Sequence, residues 1–119
     1  MPVLAVIALL IVAALHAGFM ALEMVFWTQP LGLRIFGLTP EDAAASAALA
    51  KNQGLYNGFL AAGLIWAALA RRRDVAIFFC ACVIVAGVFG AVTVKPTILA
   101  VQAAPGLVAL VLSLYGLKD

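Results

Sequence analysis

The sequence predicts an all-α fold: a bundle of four transmembrane helices in an integral membrane protein. Of the 119 residues, 67% are hydrophobic and 10% are charged, whereas soluble domains are about half apolar and a quarter charged. The apolar residues form four stretches, and a helix that spans a bilayer needs roughly 20 such residues. We therefore predict spans at residues 2–27, 48–70, 75–94 and 97–117.

These spans occupy nearly the whole chain, so residues 1–119 are predicted to form a single domain. The net charge is +2 and the basic run is short and adjacent to a span, which gives no reason to expect a nucleic-acid partner. Cys80 and Cys82 are two residues apart, on different helix faces, and form a poor metal site. We predict membrane lipids as partners, and no metal or other cofactor.

The first span carries two strongly polar side chains, His16 and Glu23. Their spacing of seven residues is close to two helical turns, so they share one face with Met20 and Trp27. An ionisable group inside a span is costly and usually faces the bundle interior, where it has a partner. The alternative is a carboxylate that reaches toward the membrane interface, which Trp27 marks.

A connector at residues 28–38 is predicted to lie against the membrane as a short interfacial helix. The segment Thr39-Pro40-Glu41-Asp42 then has the pattern of a helix start. Thr39 is expected as the N-cap and Pro40 at the first helical position, with two acids near the positive helix end. We expect this helix to continue to Arg71, with its first turns outside the membrane.

The second span contains a polar segment, Lys51 to Asn57, at a depth where hydrocarbon is expected. At 100° per residue, Asn52 and Tyr56 share one side of the helix and Gln53 and Asn57 the adjacent side. The opposite side carries Gly54, Gly58 and Ala61. The G-x-x-x-G spacing permits close approach of another helix.

The third and fourth spans are separated from their neighbours by basic residues. Arg71-Arg72-Arg73 and Asp74 predict a tight turn between antiparallel helices, and Lys95-Pro96 closes the third span. The fourth span contains Gln102, and Pro105-Gly106 is expected to bend or loosen it. The basic residues place both termini on the cytoplasmic side of a bacterial inner membrane.

Helical rise puts most of the polar groups at a similar depth below the outer surface, with His16 nearer the midplane. We therefore predict a hollow that binds a ligand and is lined by residues from three spans: His16, Glu23, Asn52, Gln53, Tyr56, Asn57 and Gln102. The alternative is a filled polar cluster in which Glu23 pairs with Lys51 or Lys95, because unpaired polar groups are costly in lipid.

The residues His16, Glu23-Met24 and Trp27, followed by the run from Asn52 to Leu64, resemble the small bacterial and fungal membrane proteins of domain-of-unknown-function family 1304. The resemblance spans the chain in length and four-span layout. It implies a shared fold and a common site at His16, Glu23, Asn52, Gln53, Tyr56 and Asn57, and implies no chemistry. The chain is also similar to small multidrug transporters in its size and its first-helix glutamate.

Three functions follow as hypotheses. In the first, Glu23 exchanges a proton for a small amphipathic or cationic ligand near the outer leaflet, which the protein binds or transports. The second is a membrane-embedded enzyme with isomerase-like acid and base chemistry on a lipophilic substrate, using Glu23, His16 and Tyr56. The third is a structural or partner subunit. Small-residue faces favour a homodimer, although alanine-rich helices also pack within one chain.

Overall fold

The structure, a computed structural model, describes residues 2–119 and is α-helical with one π-helical segment. The helices are α1 (Pro2–Met24), α2 (Pro30–Phe36), α3 (Pro40–Ala70), α4 (Arg73–Thr93) and, directly after the π-helical segment Leu99–Ala103, α5 (Ala104–Gly116). The predicted all-α class is therefore confirmed.

Three helical segments of the described chain are long and apolar enough to cross a membrane: Pro2–Met24, Arg73–Thr93 and Leu99–Gly116. The remaining predicted span, residues 48–70, lies within α3, which is 31 residues long. Helix α3 is long enough to cross a membrane. The mean hydropathy of the helix is lowered by its amide side chains, Tyr56 and Lys51. By length and composition, three of the four predicted spans are supported.

Helix α1 ends at Met24, three residues earlier than predicted, and a turn leads into α2 at Pro30. Gly32 packs against this turn, where a Cβ atom would lie 2.1 Å from the carbonyl oxygen of Phe26. Only glycine allows two backbones to come this close. The predicted connector thus contains a seven-residue helix that is packed onto the end of α1.

The predicted start of α3 is confirmed, because the backbone N–H of Asp42 donates to Thr39 Oγ1 at 3.1 Å. This bond satisfies one of the free N–H groups of the first turn. At its other end α3 stops at Ala70, and α4 begins at Arg73. Arg71 adopts a positive φ of 52° in this tight turn.

The final predicted span is not a uniform α-helix. Its first turn, Leu99–Ala103, is π-helical, and Pro105 lies two residues beyond the end of this segment. Proline has no N–H to donate and its ring crowds the preceding turn, so wider spacing is favoured just before it. The expected loosening near Pro105-Gly106 is therefore confirmed.

The contacts divide the chain into two compact units. One unit comprises Met1–Ala14, of which residues 2–14 are described, and Leu60–Asp119. Its buried apolar cluster draws residues from α1, α3, α4 and α5, including Leu9, Leu64 and Val83. The backbone N–H of Arg73 donates to the carbonyl oxygen of Lys118 at 3.2 Å, which holds the C-terminus beside the α3–α4 turn. The second unit is Leu15–Phe59 and contains the candidate site.

Candidate functional site in the Leu15–Phe59 unit

The Leu15–Phe59 unit contains a buried pair of polar side chains, Glu23 on α1 and Asn57 on α3. The side-chain amide nitrogen Nδ2 of Asn57 donates a hydrogen bond to the carboxyl oxygen Oε1 of Glu23. Only 9% of Glu23 and 8% of Asn57 are exposed. The two helices thus bring together two of the predicted site residues.

Two glycines of α3 allow this approach. A Cβ atom on Gly54 would lie 2.5 Å from Met24 Cγ and 3.2 Å from the carbonyl oxygen of Met20. A Cβ atom on Gly58 would lie 2.7 Å from Met20 Sδ. The predicted close contact through the G-x-x-x-G spacing is therefore present, and it is made with α1. Because Met24 meets Gly54 and Met20 meets Gly58, the two helices run antiparallel here.

The carboxyl group of Glu23 has an amide partner rather than a basic one. Among residues 2–119, Asn57 is the donor that the structure shows on this group. Lys51 is exposed, and the ion pair that the structure shows in the described chain joins Arg72 to Asp74. The ion pair between Glu23 and Lys51, which the filled-cluster alternative allows, is not formed. A buried carboxylate without a positive partner is costly unless a proton or a cation neutralises it.

A second polar contact fastens the turn after α1 to α3. The indole nitrogen Nε1 of Trp27 donates to Ser46 Oγ at 3.1 Å, and Ser46 Oγ donates to the carbonyl oxygen of Asp42 at 2.7 Å. The Trp27 ring also lies 4.8 Å from the ring of Phe36 on α2. These contacts link all three helices of the unit one turn beyond Glu23.

His16 lies on α1 and is fully buried. Its ring packs edge-on against Phe19, with a centroid distance of 5.3 Å. The seven residues between His16 and Glu23 correspond to about 10 Å along the helix. His16 therefore shares the helix of Glu23 but not its hydrogen bond with Asn57.

The structure does not bring Asn52, Gln53 and Tyr56 to the Glu23 carboxyl group. All three are exposed, and Tyr56 is 59% exposed. Gly54 and Gly58 set the rotation of α3 against α1, and a hollow lined by these three side chains together with Glu23 stays a prediction. That rotation turns Asn57 toward α1, and at 100° per residue Asn52 and Tyr56 then lie on the far side.

Gln102, the seventh predicted site residue, belongs to the other unit. It lies in the π-helical segment Leu99–Ala103 and is half-buried. π-Helical turns are often found at functional sites. Its assignment to the ligand site stays a prediction.

The other unit also has a shallow apolar groove of about 590 Å³ along α4. Six α4 residues line it: Phe78, Ala81, Cys82, Val85, Ala86 and Phe89. Glu23 does not line this groove. The hollow that the sequence predicts beside Glu23 stays a prediction. Within residues 2–119, no three His, Cys, Asp or Glu side chains are grouped to hold a metal ion.

Ser46, which accepts the Trp27 hydrogen bond, is a contact residue that the sequence pattern does not reveal. Its sequence signal is weak, because Ser46 is a single serine in an alanine-rich stretch. The polar ring nitrogen of Trp27 is the better clue, since a partly buried indole N–H usually finds an acceptor.

Comparison with known proteins gives a family but no activity. The uncharacterized protein YpaA of Lactococcus lactis subsp. lactis (strain IL1403) is 28% identical to this chain over 119 residues, which cover 97% of this chain and all of the relative. No solved structure matches significantly. The family described as "Protein of unknown function (DUF1304)" matches residues 10–114. The resemblance noted from the residues is thus confirmed, and the chain belongs to the DUF1304 family.

Proposed function

We propose that the protein is a four-span membrane protein in which Glu23 and Asn57 form a binding site for a small cationic or amphipathic ligand. In this proposal the ligand replaces a proton on the Glu23 carboxyl group. The supporting observation is the hydrogen bond from Asn57 to Glu23 between two helices, with both side chains more than nine-tenths buried.

The four-span topology rests on the direction of α3. Contacts of Met20 with Gly58 and of Met24 with Gly54 make α3 antiparallel to α1, which is itself apolar and long enough to cross. Beyond Gly54, α3 continues for 16 residues to Ala70, or about 24 Å. A helix of this length returns across most of the hydrocarbon, which is about 30 Å thick.

The basic residues set the proposed orientation. Arg71, Arg72 and Arg73 lie at the α3–α4 turn, and the hydrogen bond from Arg73 to the carbonyl oxygen of Lys118 adds another cation there. Positive residues favour the cytoplasmic side. With four spans, both termini are cytoplasmic, as expected for a multi-pass protein of a bacterial inner membrane.

The surroundings of Glu23 support a cation with apolar groups as the proposed ligand. The nearby α1 side chains Met20 and Met24 are flexible and apolar, and methionine adapts to ligands of varied shape. A carboxylate among such side chains favours a cation that carries apolar groups. The same carboxyl group holds a proton when no cation is bound, since a proton and a cation each neutralise the negative charge of the carboxylate.

The enzyme hypothesis has less support than the binding hypothesis. It assigns Tyr56 to polarise a substrate oxygen beside Glu23 and His16. Tyr56 is 59% exposed and lies on the side of α3 away from α1. Binding at Glu23 requires only the pair that the helices hold together.

The proposal predicts binding of a lipophilic cation, with tetraphenylphosphonium as the probe, to the purified protein in detergent. Affinity should fall as pH falls, because protons compete for Glu23. Glu23→Gln should weaken binding about tenfold or more, equivalent to about 1.4 kcal/mol, and remove the pH dependence. Glu41→Gln is the matched control, because Glu41 is an exposed carboxylate at the start of α3.

Isothermal titration calorimetry in two buffers of different ionisation enthalpy provides a direct readout of the exchange. The wild-type protein should release a proton as the cation binds, and Glu23→Gln should release none. Equal binding by Glu23→Gln and Glu41→Gln would refute the proposed site.

A further inference from the structure

We propose that the protein forms a homodimer in the membrane through one face of α3. This face, here called the α3 polar face, consists of Asn52, Tyr56 and Phe59, with Gln53 at its edge on the side nearer Asn57. The inference rests on the proposed membrane span of α3, and it is independent of ligand binding at Glu23.

The α3 polar face is exposed while the other side of the same helix is buried. Asn52 and Gln53 are exposed, Tyr56 is 59% exposed and Phe59 is 54% exposed. The helix packs on α1 through Gly54, Gly58 and Asn57. With α1 already covering that side, the α3 polar face is left for another partner.

The depth of the face follows from the contact between Trp27 and Ser46. Tryptophan marks the membrane interface, and its indole N–H reaches Ser46 on α3. From Ser46, Asn52 lies about 9 Å and Tyr56 about 15 Å further along the helix. The headgroup region is about 7 Å thick on each side. The amide and phenol groups therefore lie within hydrocarbon.

Acyl chains cannot hydrogen-bond these groups. An amide or a hydroxyl without a partner in an apolar environment is costly, and polar side chains in spans accordingly face protein. Lipid headgroups lie nearer the interface than Tyr56. A protein surface at the same depth supplies hydrogen-bond partners to the side chains of the α3 polar face.

A second copy of this chain supplies that surface. In a parallel two-fold dimer the interface pairs each patch with itself, so Asn52 meets Asn52 at equal depth. Each amide has donors and an acceptor, which makes the α3 polar face self-complementary. The four side chains carry no charge, so this pairing brings no repulsion. The Tyr56 and Phe59 rings, edge to face at 5.7 Å, add an apolar contact beside the amides.

The first test measures dimerisation of the full chain in liposomes by fluorescence energy transfer at low protein-to-lipid ratio. The wild type should be dimeric. Each lost interhelical hydrogen bond weakens association about threefold, and the two-fold axis repeats every contact. Asn52→Leu combined with Tyr56→Phe should therefore weaken dimerisation about tenfold to a hundredfold.

Gln29→Leu is the matched control, because Gln29 is exposed in the connector and lies outside the α3 polar face. It should leave dimerisation unchanged. A monomeric wild type, or equal dimerisation of the double variant and the control, would overturn the proposal.

The second test does not depend on the double variant being folded. Asn52→Cys should form an intermolecular disulfide under mild oxidation, since a two-fold axis at this face brings the two Cα atoms within about 7 Å. Val85→Cys is the control, because Val85 is 68% exposed on α4. The wild type reports any background from Cys80 and Cys82. Cross-linking no greater at position 52 than at position 85 would contradict a dimer through α3.

Labelling of Asn52→Cys separates failure of the span from failure of the dimer. A thiol in the membrane should resist a membrane-impermeant maleimide in intact liposomes. Rapid labelling would refute both the span and the dimer. A protected thiol in a monomeric protein would refute the dimer alone and leave the four-span topology in place.

Discussion

The hydrogen bond between Asn57 and Glu23 predicts a measurable coupling between the two side chains. Asn57→Leu keeps the number and branching of the side-chain heavy atoms but removes the donor from a carboxyl group that is 9% exposed. An unsatisfied buried acceptor costs about 1–3 kcal/mol, while interhelical hydrogen bonds measured in membranes average about 0.6 and reach about 1.7 kcal/mol. We therefore expect Asn57→Leu to lower the free energy of unfolding by about 1–2 kcal/mol.

A double-mutant cycle isolates this interaction. Once Glu23→Leu has removed the acceptor, Asn57→Leu should cost less, and the coupling should be about 0.5–2 kcal/mol. The free energy of unfolding is measured by titration with dodecyl sulfate in mixed micelles, with far-ultraviolet circular dichroism as the readout. Asn52→Leu is the control partner, since Asn52 lies on the other side of α3.

The control should be additive with Glu23→Leu within about 0.5 kcal/mol. If the Glu23 and Asn57 substitutions were equally additive, the hydrogen bond would contribute nothing measurable. The pair of Glu23 and Asn57 would then not form the centre of the site.

Two further predictions concern glycines at close helix contacts. Gly54→Ala should lower the free energy of unfolding by about 1–3 kcal/mol, because the new Cβ would lie 2.5 Å from Met24 Cγ. Gly18 has open space around it, so Gly18→Ala should be neutral or stabilising in the same dodecyl sulfate titration. Similar losses at both positions would contradict the helix contact. Gly87→Ala should lower the free energy of unfolding by about 1–3 kcal/mol or more, since its Cβ would lie 2.6 Å from the backbone nitrogen of Ala103. Gly90→Ala should lower it less, because its Cβ would meet only the Ile98 side chain, at 3.1 Å or more. The reverse order would show that the π-helical turn does not pack tightly on α4.

Helix boundaries could be predicted where the signal is local. The Thr39 N-cap and Pro40 fix the start of α3 because capping and the fixed φ of proline act within one turn. The break at Pro105 acts on the turn just before it. The apolar pattern continues through Val25-Phe26-Trp27 and predicts an end of α1 that is three residues too late. The packing of Gly32 against the turn is a tertiary contact that this pattern does not reveal.

The sequence by itself determined that the chain is helical, strongly apolar and interrupted by a carboxylate in α1 and amides in α3. The spacing of those residues also determined which of them share a side of each helix. Spacing alone does not give the rotation of one helix against another. The tertiary structure decided that rotation through Gly54 and Gly58, whose missing Cβ atoms let α3 approach α1. Asn57 therefore donates a hydrogen bond to Glu23, while Asn52 and Tyr56 lie on the side of α3 away from α1.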